Sequence, residues 1–395
     1  MSRMNKEICI LGFLDKEKRD IIGYYLFFAG VMLELLVMVT DNAAYYTIPY
    51  RGRILQVAFL LFFCKILLSE YRIYEWLVII GLGFLGTISY LACDDKYVIR
   101  LVVLLIAGKG IQLRKIIICI CLVTLASTVI IAFFSFFSIS GPLVDIRNYG
   151  RGGVETRYSF GFNHANNIHS ILWYLLVLML LIKKNVNGIV GGILFTLANI
   201  GLYCLTLSRT GLLITEMLII GSVWLYYYPF KKINILLYII SDAFYFGCIG
   251  LTVHSAKNSI NVSRIEAFFD KLLTGRLQMV SENAGIAKWQ LLPGVQVLEH
   301  LDNGIAKIFC TYGIIIGAVF SVWIIYLGYV SYRRGAHIFG VVLLTSMCEL
   351  FMESTFVISE SLLCNTFVIL ALVMMSTDMI TIGGKENGIQ EPGIS

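Results

Sequence analysis

Apolar runs about as long as a bilayer is thick recur along the chain from Ile21 to Met375. One crossing takes about 20 mostly apolar residues. Runs of this kind fall near 21–39, 54–69, 76–92, 97–107, 116–138, 168–182, 187–206, 211–228, 233–254, 304–330, 337–353 and 361–376. A backbone in lipid must satisfy its own hydrogen bonds, which a helix does within one segment. The composition agrees: 58% of the residues are hydrophobic and 14% charged, against roughly 45–50% and about 25% in soluble domains. An ordinary soluble enzyme is excluded, and with only 5 prolines so is disorder over most of the chain. The expected fold class is an all-α polytopic membrane protein, one integral domain over 1–395 with about twelve transmembrane helices.

Positive charge sets the direction. Lys16, Lys18, Arg19, Lys109, Arg114, Lys115, Lys183, Lys184, Lys231, Lys232, Arg333 and Arg334 all fall on the side of the N-terminus. The short connections on the other side carry Arg51, Arg53, Lys96, Arg100 and Arg209. Both termini are therefore expected in the cytoplasm, in a multi-pass plasma-membrane protein. The segment MSRMNKEICILGFLDKEKRD has no small-residue cleavage site, so no removed signal peptide is expected. The tail 377–395 reads as cytoplasmic and disordered. The two long polar stretches, 139–167 and 255–303, both fall on the outside.

The remaining totals exclude more than they identify. The net charge of +6 is scattered among connections, which argues against nucleic acid as a partner. Most of the 10 cysteines sit in apolar runs and read as small hydrophobes. Trp76, Trp173, Trp224 and Trp323 fall in or near run ends, as an interfacial aromatic belt would. Glu34, Lys65, Glu216, Asp242 and Glu349 lie inside runs. Such groups pair between helices or lie near the interface; in a proton-coupled transporter they would carry the ion. Asp94-Asp95 reads as solvated charge in a short outer loop. No metal and no cofactor are expected.

Four polar clusters share the outer face. ETRYSFGFNHANNIH (155–169) supplies Arg157, His164, Asn166 and Asn167 where the sixth apolar run begins. Ser208-Arg209-Thr210 opens the eighth. TGR ends at Arg276 within the second long stretch. EHLDNG supplies His300, Asp302 and Asn303 where the tenth run begins. Helix N-termini expose free N–H groups and a positive dipole end. With Arg157, Arg209 and Arg276 beside them, the set suits a phosphate or diphosphate. Taken singly, each residue has a plainer role: Ser208 or Asp302 as a helix cap, Arg209 as a snorkelling side chain, His164 as a structural histidine.

At these clusters the chain resembles the Wzy-type polymerases of O-antigen and capsular or exopolysaccharide repeat units, relatives of the O-antigen ligases. The resemblance rests on RYSFGFNHANN (157–167), TLSRTGLL (206–213), LLTGRL (272–277) and LDNGIAKIFCTYGIIIG (301–317), and on their order. It covers roughly residues 150–320. Many relatives carry a proline after the motif histidine, where this chain has Ala165.

The resemblance implies a GT-C-like membrane glycosyltransferase at the outer face of a bacterial cytoplasmic membrane, inverting and independent of metal. It would transfer a glycan from undecaprenyl diphosphate onto an incoming undecaprenyl-diphosphate-linked oligosaccharide. Because the leaving group is already a lipid diphosphate, the enzyme has mainly to neutralise its charge and position a hydroxyl. Arg157, Arg209 and Arg276 match the diphosphate-binding positions. Asp302 is the first candidate for the base, followed by His164 and His300. Asn166, Asn167, Asn303 and Ser208 fall to substrate positioning. A chain-length regulator and a flippase are the implied protein partners. A ligase would share the fold and the arginines; a flippase or transporter would need a cationic cavity at mid-membrane instead.

Overall fold

The computed structural model describes residues 7–12, 14–46, 48–148, 153–183, 188–228, 231–258, 264–273, 275–293, 301–353 and 361–376. Its helices are α1 (Lys16–Asn42), α2 (Arg51–Leu68), α3 (Ile73–Cys93), α4 (Tyr97–Ala107), α5 (Arg114–Ser135), α6 (Ala165–Lys183), α7 (Gly188–Thr206), α8 (Arg209–Tyr227), α9 (Lys231–Lys257), α10 (Arg264–Leu272), α11 (Arg276–Asn283), α12 (Gly304–Thr311), α13 (Gly313–Arg333), α14 (His337–Met352) and α15 (Thr366–Met375). Two antiparallel ribbons join them: β1 (Glu7–Ile8) with β2 (Tyr71–Arg72), and β3 (Val144–Asn148) with β4 (Val154–Tyr158). Among the described residues, eight helices are long and apolar enough to cross a membrane: α1, α3, α5, α6, α7, α8, α9 and α13. Shorter apolar helices are α4, α14 and α15. The chain is an all-α polytopic membrane protein.

Burial follows the solvent. Phe367, Val368 and Leu370 of α15 and Val342, Met347 and Leu350 of α14 are fully enclosed, as helices apolar on every side must be. The outer helices turn apolar side chains outward instead. Leu77 and Phe84 of α3 and Leu194 of α7 are 64%, 66% and 62% exposed. Water would penalise such a surface at about 25 cal/mol per Å2, whereas acyl chains do not. Trp173 packs in the core at 2% exposure, so the aromatic belt does not include it.

Among the charges inside the apolar runs, Glu34 has an ionic partner, Glu216 and Lys65 have neutral hydrogen-bond partners, and Asp242 Oδ1 is buried without one among the described residues. Arg100 Nη2 donates to Glu34 Oε1 at 2.6 Å. Glu34 Oε2 also accepts the Leu362 N–H at 3.0 Å, tying α1, α4 and the turn before α15 together. Glu216 accepts from Thr196 and Asn199 at 2.6 and 3.0 Å. Lys65 Nζ donates to the Lys109 carbonyl at 2.6 Å.

Contacts sort the helix ends into two groups. At one end, Asn163 Nδ2 reaches the Asp41 carbonyl, the Tyr312 hydroxyl reaches Asp95, and Arg276 reaches Glu353. At the other, Arg19 reaches Glu70, Lys109 reaches Glu75, and Arg334 reaches the Met374 carbonyl.

The long polar stretches and the tenth run depart from expectation. Stretch 139–167 contains the β3–β4 ribbon, with Asp145 opposite Arg157. Among its described residues, stretch 255–303 contains the end of α9, α10, α11 and a 3-10 turn (Ile286–Lys288). The run at 304–330 is broken into α12 and α13 by Gly313, whose φ is +83°. A Cβ there would stand 2.6 Å from the Leu292 carbonyl carbon. The break frees the Ile314 and Ile315 N–H groups to bind the Gln290 and Leu291 carbonyls at 2.9 and 3.2 Å. The preceding stretch is thereby sewn to the start of α13. The expected disorder of 377–395 lies outside the described residues.

Candidate functional site

The starts of α6, α11 and α12 and the end of α14 meet at one end of the bundle. Arg276 is the first residue of α11. Gly275 turns the chain there with φ +81°, and the Asp270 carboxylate accepts the Leu277 and Gln278 N–H groups at 2.9 and 3.0 Å. That side-chain cap fixes the helix start and with it the root of Arg276.

The buried Arg276 guanidinium is tethered on several sides. It donates to the Met352 and Leu273 carbonyls and, from Nη2, to Glu353 Oε1 at 2.8 Å. The Asp302 carboxylate lies 4.0 Å from the same nitrogen and is 48% exposed. Asn166 Nδ2 donates to Glu353 Oε1 at 3.2 Å. One turn earlier on α14, Glu349 accepts from Ser170 at 3.0 Å and lines a small cavity of about 60 Å3 with Asn167, Asn42 and Thr124. That volume suits one or two waters.

Glu353 follows the last residue of α14. Its Oε1 accepts from both Arg276 and Asn166. The result is a cationic group held between two carboxylates of different exposure. Glu353 is largely buried, with 14% of its side chain exposed, and is committed to Arg276, while Asp302 is open at the rim.

The other expected residues have different settings. Asn303, not Asp302, caps α12: its Oδ1 accepts the Ala306 N–H at 2.8 Å, and its Nδ2 reaches Thr252 at 3.4 Å. Asp302 stands one residue before the cap, which corrects the capping role expected of it. Ser208 does cap α8, accepting the Gly211 N–H at 3.3 Å. Arg209, next to it, is exposed and has no ion pair among the described residues. His164 Nδ1 accepts the Asn166 N–H at 3.1 Å and so serves the start of α6. Arg157 is buried in the β3–β4 ribbon and bound by Glu155 through Nε and Nη2 at 2.9 and 2.5 Å. The structure thus joins Arg276, Asp302 and Asn166 and leaves Arg157 in a separate ion pair. His300 lies outside the described residues.

Several polar groups at this end carry weaker signals in the sequence. Glu353 sits four residues after Glu349, which puts both on one helix face, and this spacing is its only mark. Asp95 is not the solvated charge expected of it. It accepts the Tyr312 hydroxyl at 2.6 Å and the Tyr97 N–H at 2.9 Å. His169, fully buried, binds Asn199 at 2.7 Å and Thr206 at 3.3 Å, and Asn199 passes the chain of contacts on to Glu216 at 3.0 Å.

Chemically, the cluster can hold an anion against Arg276 and offer an exposed carboxylate beside it. No family model matches the chain, and searches of curated proteins and of solved structures likewise match nothing.

Proposed function

We propose that the chain is a polysaccharide polymerase of the Wzy type, joining undecaprenyl-diphosphate-linked repeat units at the outer face of a bacterial cytoplasmic membrane. In this reading α12 and α13 together make one crossing, the helices cross twelve times in a GT-C-like arrangement, and both termini are cytoplasmic. The observation that carries the proposal is the convergence of Arg276, Asp302, Glu353 and Asn166 from four separate segments.

The chemistry follows from the charges. A lipid diphosphate entering the site competes with Asp302 for Arg276. The guanidinium then neutralises the leaving group as its charge develops. Asp302 is left free of Arg276 and is exposed enough to accept the proton of an acceptor hydroxyl. Glu353 keeps Arg276 oriented throughout. Arg209, exposed at the start of α8, is a second contact for the diphosphate or its neighbouring sugar. Arg157 would have to exchange Glu155 for substrate to act in the same way. No metal enters this scheme, since two arginines and a good leaving group supply what it needs.

A ligase of the same superfamily would use the same groups on a different acceptor. Purified protein supplied only with lipid-linked repeat units separates the two: a polymerase makes a ladder of products and a ligase does not. A transporter is disfavoured by the position of the Arg276 cluster at one end of the bundle rather than in a cavity at mid-membrane.

A further inference from the structure

The opposite end of the bundle holds a second polar cavity, of about 670 Å3, within the ~300–1,000 Å3 range of ligand sites. Lys16, Arg19, Lys65 and Lys109 line it together with Asp20 and Glu70. It is not part of the Arg276 cluster. Arg19 is near the start of α1, whose far end, Asn42, accepts the Asn163 N–H beside α6. The intervening helix rises about 34 Å.

Three of these four cations already have a carboxylate partner. Lys16 and Arg19 Nη2 bind the Glu70 carboxylate at 3.2 and 2.8 Å, and Lys109 binds Glu75 at 2.6 Å. Two donor sets are left over. Arg19 is 7% exposed; its Nε and Nη1 are buried and have no oxygen acceptor among the described residues, and the Cys9 thiol, besides Glu70, interacts with the guanidinium there. Lys65 is 4% exposed and gives its one hydrogen bond to a carbonyl; among the described residues it has no carboxylate within 4.0 Å. The Lys65 stem packs across Gly23, one turn along α1 from Arg19, with Cγ 3.6 Å from where a Cβ would stand. Both cations therefore face one space from adjacent helices. Asp20 stands exposed at the edge of that space.

Buried donors without acceptors are costly, and for charged groups more so. A compact anion with several oxygens removes that cost at both residues together. We infer that this cavity is an anion site that takes a phosphate group, with Arg19 and Lys65 as its buried ligands. The group can belong to free phosphate or to the head of an anionic phospholipid, and the site is independent of the polymerase reading.

Thermal unfolding of the purified, delipidated full chain tests it. One arm adds inorganic phosphate against a chloride control of equal ionic strength. The other compares nanodiscs of phosphatidylglycerol with nanodiscs of phosphatidylcholine. At least one probe should raise Tm by about 3 °C or more through binding to the folded state, and Lys65→Met and Arg19→Gln should each lose most of that rise. A rise with phosphate identifies a free-anion site, and a rise with phosphatidylglycerol alone identifies a lipid headgroup site. Should Lys65→Met fail to fold, Arg19→Gln at the helix end decides alone. No rise with either probe, or a rise kept by every variant that folds, overturns the inference.

Discussion

Arg276 Nη2 and Glu353 Oε1 lie 2.8 Å apart, although 77 residues of chain separate them. The pair joins the start of α11 to the end of α14, and Asn166 at the start of α6 shares the same carboxylate oxygen. Removing one partner of such a largely buried pair strands the other charge. Glu353→Ala should therefore lower stability by about 3–5 kcal/mol, read as a fall in Tm. Glu353→Gln keeps the size and part of the hydrogen bonding but releases Arg276 from its anchor. It should cut polymer formation at least tenfold, about 1.4 kcal/mol of transition-state stabilisation, at normal protein levels. Wild-type activity from Glu353→Gln would remove Glu353 from the site.

Glu34 and Arg100 test the fold rather than the chemistry. Glu34→Gln or Arg100→Met alone should destabilise by about 3–5 kcal/mol, while the apolar pair Glu34→Leu with Arg100→Met should recover much of the loss. Melting of the single and double variants measures this. Equal Tm for wild type and both single variants would mean that the pair contributes nothing.

Gly313 is the hinge between α12 and α13. Gly313→Ala meets both a positive φ and the Leu292 backbone, and should cost about 1–3 kcal/mol. Limited proteolysis should show the 284–303 region opening first, since the contacts of Gln290 and Leu291 with α13 depend on the break. Unchanged Tm and an unchanged digestion pattern would contradict the geometry.

Arg209 is exposed and unpaired among the described residues, so its replacement costs the fold little. Arg209→Lys keeps the charge and loses the two-pronged donor geometry. At least tenfold less polymer is expected, about 1.4 kcal/mol. Near-normal polymer from both Arg209→Lys and Arg209→Ala would leave Arg209 with no part in the reaction.

The helices were readable because lipid imposes one length and one composition on each, and every apolar run contains helix. The break at Gly313 was hidden, because a single glycine within YGIIIG is tolerated in a helix and nothing local reveals the backbone of Leu292 beside it. The short helices α10 and α11 and the β3–β4 ribbon were hidden in polar stretches too short for a clear period. Within the site, Asp302 and Asn166 were marked by polar motifs where apolar runs begin, and Arg276 by the TGR motif within the second long stretch. Glu353 was not, because its meaning lies in a contact across 77 residues, and neither was the capping role of Asn303, which Asp302 would have filled equally well.

In the proposed reaction Asp302 accepts a proton while Arg276 holds the diphosphate. Asp302 does not cap α12, so neither Asp302→Asn nor Asp302→Ala should lower Tm by more than a degree or two. The deciding measurement is product formation by purified Asp302→Asn from undecaprenyl-diphosphate-linked repeat units, with substrate binding followed on the same sample. The variant should bind substrate as wild type does and make no ladder. A ladder of wild-type length and intensity from Asp302→Asn would contradict this role for Asp302.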